Sequence, residues 1–314
     1  MSIKDFQHES VLLKDTITHL PSSKDGVYLD CTLGGGGHSL EILRQNEPES
    51  IVLGIDRDPH AIQAASERLK QYKDRFIPVQ GRFSQLEDII QSLESVRLSE
   101  QEPLLFTGIV MDLGVSSPQI DLAERGFSFQ KEGPVDMRMN PEQGMTASEW
   151  LIQQTERSLA DQLFHYGEEP RSRQIARAII KGNPWHSTLK LAECIRAASG
   201  YKNSRSDPAT RSFQAIRIAV NEEFIELKQG VTAAINRLKS GGRLAVISFH
   251  SLEDRYIKRT FRTAAAIGTP RNPYGHPLEP AIGRLIKPKG ISGKEHDSKN
   301  PRARSARLRI LEKL

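Results

Sequence analysis

Four short runs of β-branched and apolar residues constrain this chain more than any other feature: VYLDCTL from Val27, IVLGID from Ile51, FIPV from Phe76 and GIVMDL from Gly108. Bounded by turn residues and apolar almost throughout, they read as parallel strands buried on both faces. Helical stretches lie between the first three. From Pro59 to Tyr72, for example, Ile62, Ala65 and Leu69 recur at helical spacing behind a proline suited to a first turn. This βαβ rhythm predicts an α/β fold, a Rossmann-like doubly wound sheet.

The rhythm then breaks, because the next comparable run, RLAVISF from Arg243, begins far beyond Ile109. The intervening segment is helical in pattern. It has a capping box at Thr146 and Glu149 and amphipathic stretches at Leu159–Tyr166, Ile175–Ile180 and Leu189–Ala198. An all-helical domain over 119–216 is therefore expected inside a sheet domain made of 1–118 and 217–314. From Asp207 and Pro208, a long amphipathic helix carries Phe213, Ile216, Val220, Phe224, Leu227 and Val231, with Gly241 and Gly242 as its stop. Ser251 and Asp254 suggest a second capping box, 266–300 reads as a mobile basic loop, and ARSARLRIL reads as a closing strand with Arg307 and Arg309 on its exposed face.

Composition narrows the class. Of 314 residues 37% are hydrophobic, which suffices for a packed core without disulfides or metal. No run of eighteen apolar residues occurs, and the first ten residues lack both the basic flank and the apolar core of a signal peptide. Two distant cysteines, Cys31 and Cys194, suit a reducing compartment and no zinc framework. A cytoplasmic protein with no membrane partner and no metal is expected. Residues 255–314 hold 15 Lys and Arg against 4 Asp and Glu, while the rest of the chain is net acidic. Such a cationic end suits a polyanion, although basic tails are also common on ordinary soluble proteins.

The chemistry concentrates at strand ends. The first strand ends in Asp30 and runs into TLGGGGHS, four glycines between a strand and a helix, which reads as a cofactor loop. The second ends in Asp56, where a carboxylate can accept hydrogen bonds from ribose hydroxyls, so a nucleoside-containing cofactor is expected. The dinucleotide fingerprint GxGxxG fails, since its third glycine would fall on Ser39 or Leu40, and no GxxxxGK[ST] occurs. S-adenosylmethionine remains, and Asp30 and Asp112 suit its ammonium and sulfonium charges. Each Asp, taken singly, is about as well suited to capping its own turn.

At the fourth strand end stands MDLGVSSPQ, followed by RGFSFQKEGPVDMRMNP, YGEEPRSRQIARAI, DPATRSFQAIRIAVNEE, GGRLAVISFHSLEDR and NPRARSARLRI. These stretches closely resemble the ribosomal RNA small subunit methyltransferase H family (MraW-type), in the same order, from His8 to Glu312. Only 266–283 and the segment HSTLKLAECI depart from its pattern.

The resemblance implies a class I S-adenosylmethionine-dependent methyltransferase acting on the N4 amine of a cytidine in the decoding region of 16S ribosomal RNA. Its cofactor contacts fall on Gly36, Gly37, His38, Asp56, Phe83, Asp112 and Gln119. The partner it implies is small-subunit ribosomal RNA or the small ribosomal subunit, with a homodimer left open. Amino-directed methyltransferases commonly carry a [DNS]PP[YF] segment after the fourth strand. Here Ser116, Ser117, Pro118 and Gln119 stand in a similar place, so Asp112 and Ser117 are the expected acceptors of the amine protons.

Phe127 and Phe129 are candidates to hold a flipped base, though each singly is better suited to anchoring its loop. Arg138, His250 and Arg255 are candidates for RNA or loop-ordering contacts, with helix-start capping the stronger reading for His250 and Glu253. Arg302, Arg304, Arg307, Arg309, Lys287, Lys289 and Lys294 form the expected RNA surface. The competing readings are a non-catalytic RNA-binding assembly factor, a nucleotide-dependent oxidoreductase, and an amino-methyltransferase acting on DNA.

Overall fold

The computed structural model describes residues 10–46, 48–97, 103–200 and 207–314. His8, where the resemblance begins, lies outside them. Two compact units emerge, 1–114 with 225–314, and 115–224.

In the first unit seven strands form one sheet in the order β3-β2-β1-β4-β5-β7-β6. They are β1 (Val27–Asp30), β2 (Ile51–Asp56), β3 (Phe76–Gln80), β4 (Phe106–Asp112), β5 (Leu238–Ser248), β6 (Gly283–Ser292) and β7 (Arg307–Lys313). β1 to β5 pair in parallel, and β7 runs antiparallel between β5 and β6. Strand side chains alternate, so the sheet has two apolar faces. Leu29, Leu53, Ile109, Met111, Leu244 and Val246 pack with Leu86, Ile90, Leu227, Val231, Ile257 and Phe261 on one side. Tyr28, Val52, Val110, Ala245 and Ile247 pack with Ile17, Ile42, Leu43, Ala65 and Leu69 on the other. Burial on both faces is why these runs show no polar alternation. Order reverses between β1 and β4, the switch point at which open α/β sheets leave a crevice beyond their carboxyl ends.

The second unit is helical: Ala147–Ile152, Glu156–Gly167, Ser172–Gly182, Thr188–Ser199 and Ala209–Asn221. Its core joins Leu151, Leu159, Leu163, Ile175, Ile179, Leu191, Ile195, Phe213 and Ile216. Thr146 and Glu149 form the expected capping box.

Several sequence expectations need correction. The long helix after Asp207 is two, Ala209–Asn221 and Glu223–Asn236, separated by Glu222 in the left-handed region at φ 55°. Apolar spacing cannot reveal this break, because Phe213 and Ile216 serve the helical core while Leu227 and Val231 serve the sheet. The two units divide at 114 and 224, the second boundary just after this break. The helix ends at Asn236, ahead of Gly241 and Gly242, which lie where the β4–β5 register shifts.

Residues 283–292 are strand β6 rather than loop. Pro288 and Gly290 disguise it, yet an edge strand tolerates proline, and the β6–β7 register shifts between Ile286 and Ile291. The capping box of helix Ser251–Ala264 starts at His250 with Glu253, one residue upstream of the Ser251–Asp254 pattern. Asp254 instead binds Arg309 through Nε and Nη2 at 2.7 and 2.9 Å. Arg309 is thus a buried cross-brace between β7 and this helix, not part of a solvated basic face.

Candidate active site

Asp56, Asp30 and Asp112 close the adjacent strands β2, β1 and β4, so the parallel sheet brings three carboxyl groups to one edge. No Lys or Arg among the described residues is ion-paired to any of them.

Asp30 is 1% exposed, its Oδ1 accepting from the Thr32 N–H and its Oδ2 from the Ser39 hydroxyl at 2.8 Å. It ties the glycine turn to helix Gly37–Gln45, the turn-capping alternative. Burial pushes its pKa up to about 6. Asp56 accepts from the Gly34 N–H at 2.8 Å and from the Asp58 N–H at 2.9 Å, and burial pushes it also to about 6. Each of its oxygens keeps a second lone pair for another donor.

The glycine turn is dictated partly by backbone and partly by packing. Gly34 and Gly36 have φ of 49° and 73°, where a Cβ is strained. At Gly36 a Cβ would also press on Ala65 and Leu69 at 3.2 Å, and at Gly37 it would collide with Ser10. The glycine requirement at 36 and 37 therefore comes from the protein's own packing. Any ligand contact there falls to the backbone.

His38 and Asp112 each hold a buried side-chain atom without a hydrogen-bond partner. His38 is 4% exposed, its Nδ1 lies 4.0 Å from Asp112 Oδ2, and its Nε2 is buried without a hydrogen-bond partner. Desolvation lowers its pKa to about 4, so at neutral pH the ring is uncharged. The Asp112 side chain is 22% exposed, yet its Oδ1 is buried and also unpartnered. Desolvation first, then the nearby Asp30 and Glu253, hold its carboxyl well above the ordinary range. Its backbone N–H donates to Thr32 Oγ1 at 2.6 Å, a bracing contact that the sequence reading missed. The hydroxyl directly after the first strand was the available signal.

Such a set of carboxyl groups, with an uncharged imidazole and no basic partner, is electrostatically incomplete. A small cationic ligand with hydrogen-bond donors completes it, and an ammonium or sulfonium group fits that description.

The remaining candidates are placed differently. Phe83 lies on the 3-10 turn Phe83–Gln85, its ring against Gly230, and packs on the sheet core. Ser117 and Gln119 belong to the second unit, on the short helix Ser117–Asp121, where Gln119 Oε1 accepts the Ser116 N–H at 3.0 Å. Phe127 and Phe129 pack on the helical core, Phe129 edge-on to Phe213 at 4.9 Å, which is the anchoring alternative. Arg138 binds Asp136 through Nε and Nη2 at 2.9 and 2.8 Å and so orders its own loop. His250 and Glu253 cap their helix. Of the expected RNA cations, Lys287, Lys289, Lys294 and Arg304 are exposed, and Arg307 donates to the Lys289 carbonyl. Among the described residues no group of three or more His, Cys, Asp or Glu could hold a metal ion, and no helix is long and apolar enough to cross a membrane.

Comparison with known proteins finds relatives over nearly the whole chain. A curated relative from Pseudoalteromonas atlantica, named Ribosomal RNA small subunit methyltransferase H, is 45% identical, with 98% of each chain covered. Relatives of the same name from Trichlorobacter lovleyi and Chlorobaculum parvum are each 43% identical, covering 99% and 98% of this chain and 100% and 98% of their own. The family described as MraW methylase matches residues 5–314, and the chain belongs to it.

Proposed function

We propose that this protein uses S-adenosylmethionine to methylate the N4 amine of one cytidine in the decoding region of small-subunit ribosomal RNA. Near-full-length relatedness to curated small-subunit rRNA methyltransferases supports the RNA substrate. The observation that carries the chemistry is the buried, unpartnered Asp112 Oδ1 at the end of β4. Asp56 would hold the ribose, and the amides around Gly36, Gly37 and His38, at the positive end of a helix, would hold the carboxylate of the methionine moiety. Phe83 and Gln119 complete the proposed cofactor contacts.

The cofactor supplies a methyl group already activated on a positively charged sulfur. What remains for the chain is alignment, exclusion of water and proton management. The cytosine N4 lone pair is delocalised into the ring, so attack requires its protons to be drawn out of the base plane. Asp112 is suited to this, because a carboxyl held above its ordinary pKa is, once ionised, a stronger base than a solvated one. A bound cation favours that ionised form. Ser117, a few residues along the chain, is the proposed second acceptor. The helical unit is the proposed RNA-recognition domain.

Mass spectrometry of small-subunit RNA before and after incubation with protein and S-adenosylmethionine tests this reading. One added methyl on a cytidine N4 is expected. Methylation at another atom, or none, would overturn it, and transfer to duplex DNA in preference to RNA would replace the substrate class.

A further inference from the structure

The basic end of the chain builds a feature separate from the acidic edge. Helix Ser251–Ala264 starts beside the end of β5 and returns along the sheet over roughly 20 Å, since each residue rises about 1.5 Å. Its far end lies where Ile282 N–H donates to Ala264 O and Leu314 N–H donates to Ile282 O, at the amino edge of the parallel strands. Arg255, Lys258, Arg259 and Arg262 recur at steps of three and four along it, and all four are exposed. One face of the helix is therefore cationic. No ion pair with a described carboxylate occupies Lys258, Arg259 or Arg262.

This face leads into an arch over 267–282. Asn272 organises its tip: its Oδ1 accepts from the Tyr274 and His276 N–H groups at 3.0 Å, and its own N–H donates to His276 O at 2.8 Å. Arg271 Nη1 donates to Gly275 O at 2.6 Å, and Arg271 and Pro277 form a β-bridge beneath. The Ile267 N–H donates to Arg262 O at 2.8 Å, and the Arg262 guanidinium lies beside Gly268, so the cationic face meets the foot of the arch. On this braced turn Tyr274 is 87% exposed, between Arg271 and His276. Glu279 is the arch's acidic residue.

We propose that Tyr274 and the Arg255–Arg262 face form a second RNA contact, in which the phenol ring stacks on an unpaired base while the helix cations follow the backbone leading to it. Single-stranded nucleic acid is held by this combination, an aromatic platform beside a cationic track. A rigid turn that leaves its ring in water loses little conformational freedom when a base covers it. The contact lies at the opposite sheet edge from Asp112, so it reads RNA distant from the target base. It rests on the reading of the substrate as ribosomal RNA.

The test compares wild type, Tyr274→Ala, Tyr274→Phe and the triple variant Lys258→Gln, Arg259→Gln, Arg262→Gln. Binding and methyl transfer are measured on full-length naked small-subunit RNA, on purified small subunits and on a short RNA carrying the target cytidine alone. On full-length RNA, Tyr274→Ala should weaken binding and raise KM on the order of ten-fold, with kcat unchanged. Tyr274→Phe should behave as wild type. Neither should alter the short RNA.

Unchanged binding of full-length RNA by Tyr274→Ala would overturn the proposal, as would an equal loss on the short RNA. A loss confined to assembled subunits would also overturn it, and would identify a protein partner instead. Should wild type bind RNA without methylating it, the functional reading falls while the binding comparison still decides the arch.

Discussion

The two ends of helix Ser251–Ala264 face opposite electrostatic problems. Its first turn lies near Asp112, one of three largely buried carboxyl groups, hydrogen-bonded to turns or unpartnered, with which no described Lys or Arg forms an ion pair. Its last turns carry exposed arginine and lysine and lead to an exposed tyrosine. A small cation is held best where water is excluded and each charge interacts strongly. A polyanion is held best on an open face, where its released counterions supply the driving force. On the proposed reading, one edge of the sheet serves a compact cationic cofactor and the other an extended anionic substrate.

That contrast is most easily broken at Asp112. Asp112→Asn should lower the single-turnover rate at saturating donor roughly a hundred-fold or more, the usual range for loss of a positioned base. Full rate would remove Asp112 from the chemistry. Next in size is Gly36→Val, which puts a β-branched residue at φ 73° against Ala65 and Leu69. A loss of about 2 kcal/mol or more in denaturant unfolding is expected, with weakened cofactor binding.

A third test reverses the usual reading of the basic terminus. Arg309→Gln breaks the bidentate pair with Asp254 and should cost about 2 kcal/mol of stability, yet leave RNA affinity unchanged. The triple Gln variant of Lys258, Arg259 and Arg262 should do the opposite, keeping stability while reducing the salt dependence of RNA binding by about 2 in log–log slope.

The smallest effect concerns protons. Asp30 and Asp56 titrate near 6 and Asp112 is also raised, so a cationic ligand that favours their ionised forms must expel protons below those values. The contribution of Asp30 and Asp56 to S-adenosylmethionine affinity should therefore rise with pH and level off above about 6, while the raised Asp112 extends the rise to higher pH. S-adenosylhomocysteine, lacking the sulfonium charge, should rise less, and calorimetry at several pH values measures the difference.

The strands were legible in the sequence because burial on both faces leaves an apolar run, and β1, β2 and β4 each end on an aspartate. Strand β6 was not, since Pro288 and Gly290 carry the local signature of a loop and only pairing with β7 overrides it. The reason for Gly36 and Gly37 was likewise hidden. Four glycines announce a close approach, but that Ala65, Leu69 and Ser10 make it is tertiary information. Arg309 shows the same limit for charge, because its Asp254 partner lies 55 positions away along the chain. Recognition of motifs assigned cofactor roles to Phe83 and Gln119 that no local pattern suggests, and the packing of the Phe83 ring on Gly230 and the capping of its own helix by Gln119 Oε1 were equally beyond the sequence.

The most direct measurement is a crystal structure of the protein with S-adenosylmethionine bound. The account requires the ribose on Asp56 and the sulfonium beside Asp112, with the glycine turn under the methionine moiety. A donor lodged elsewhere, leaving Asp112 Oδ1 without a ligand, would contradict it.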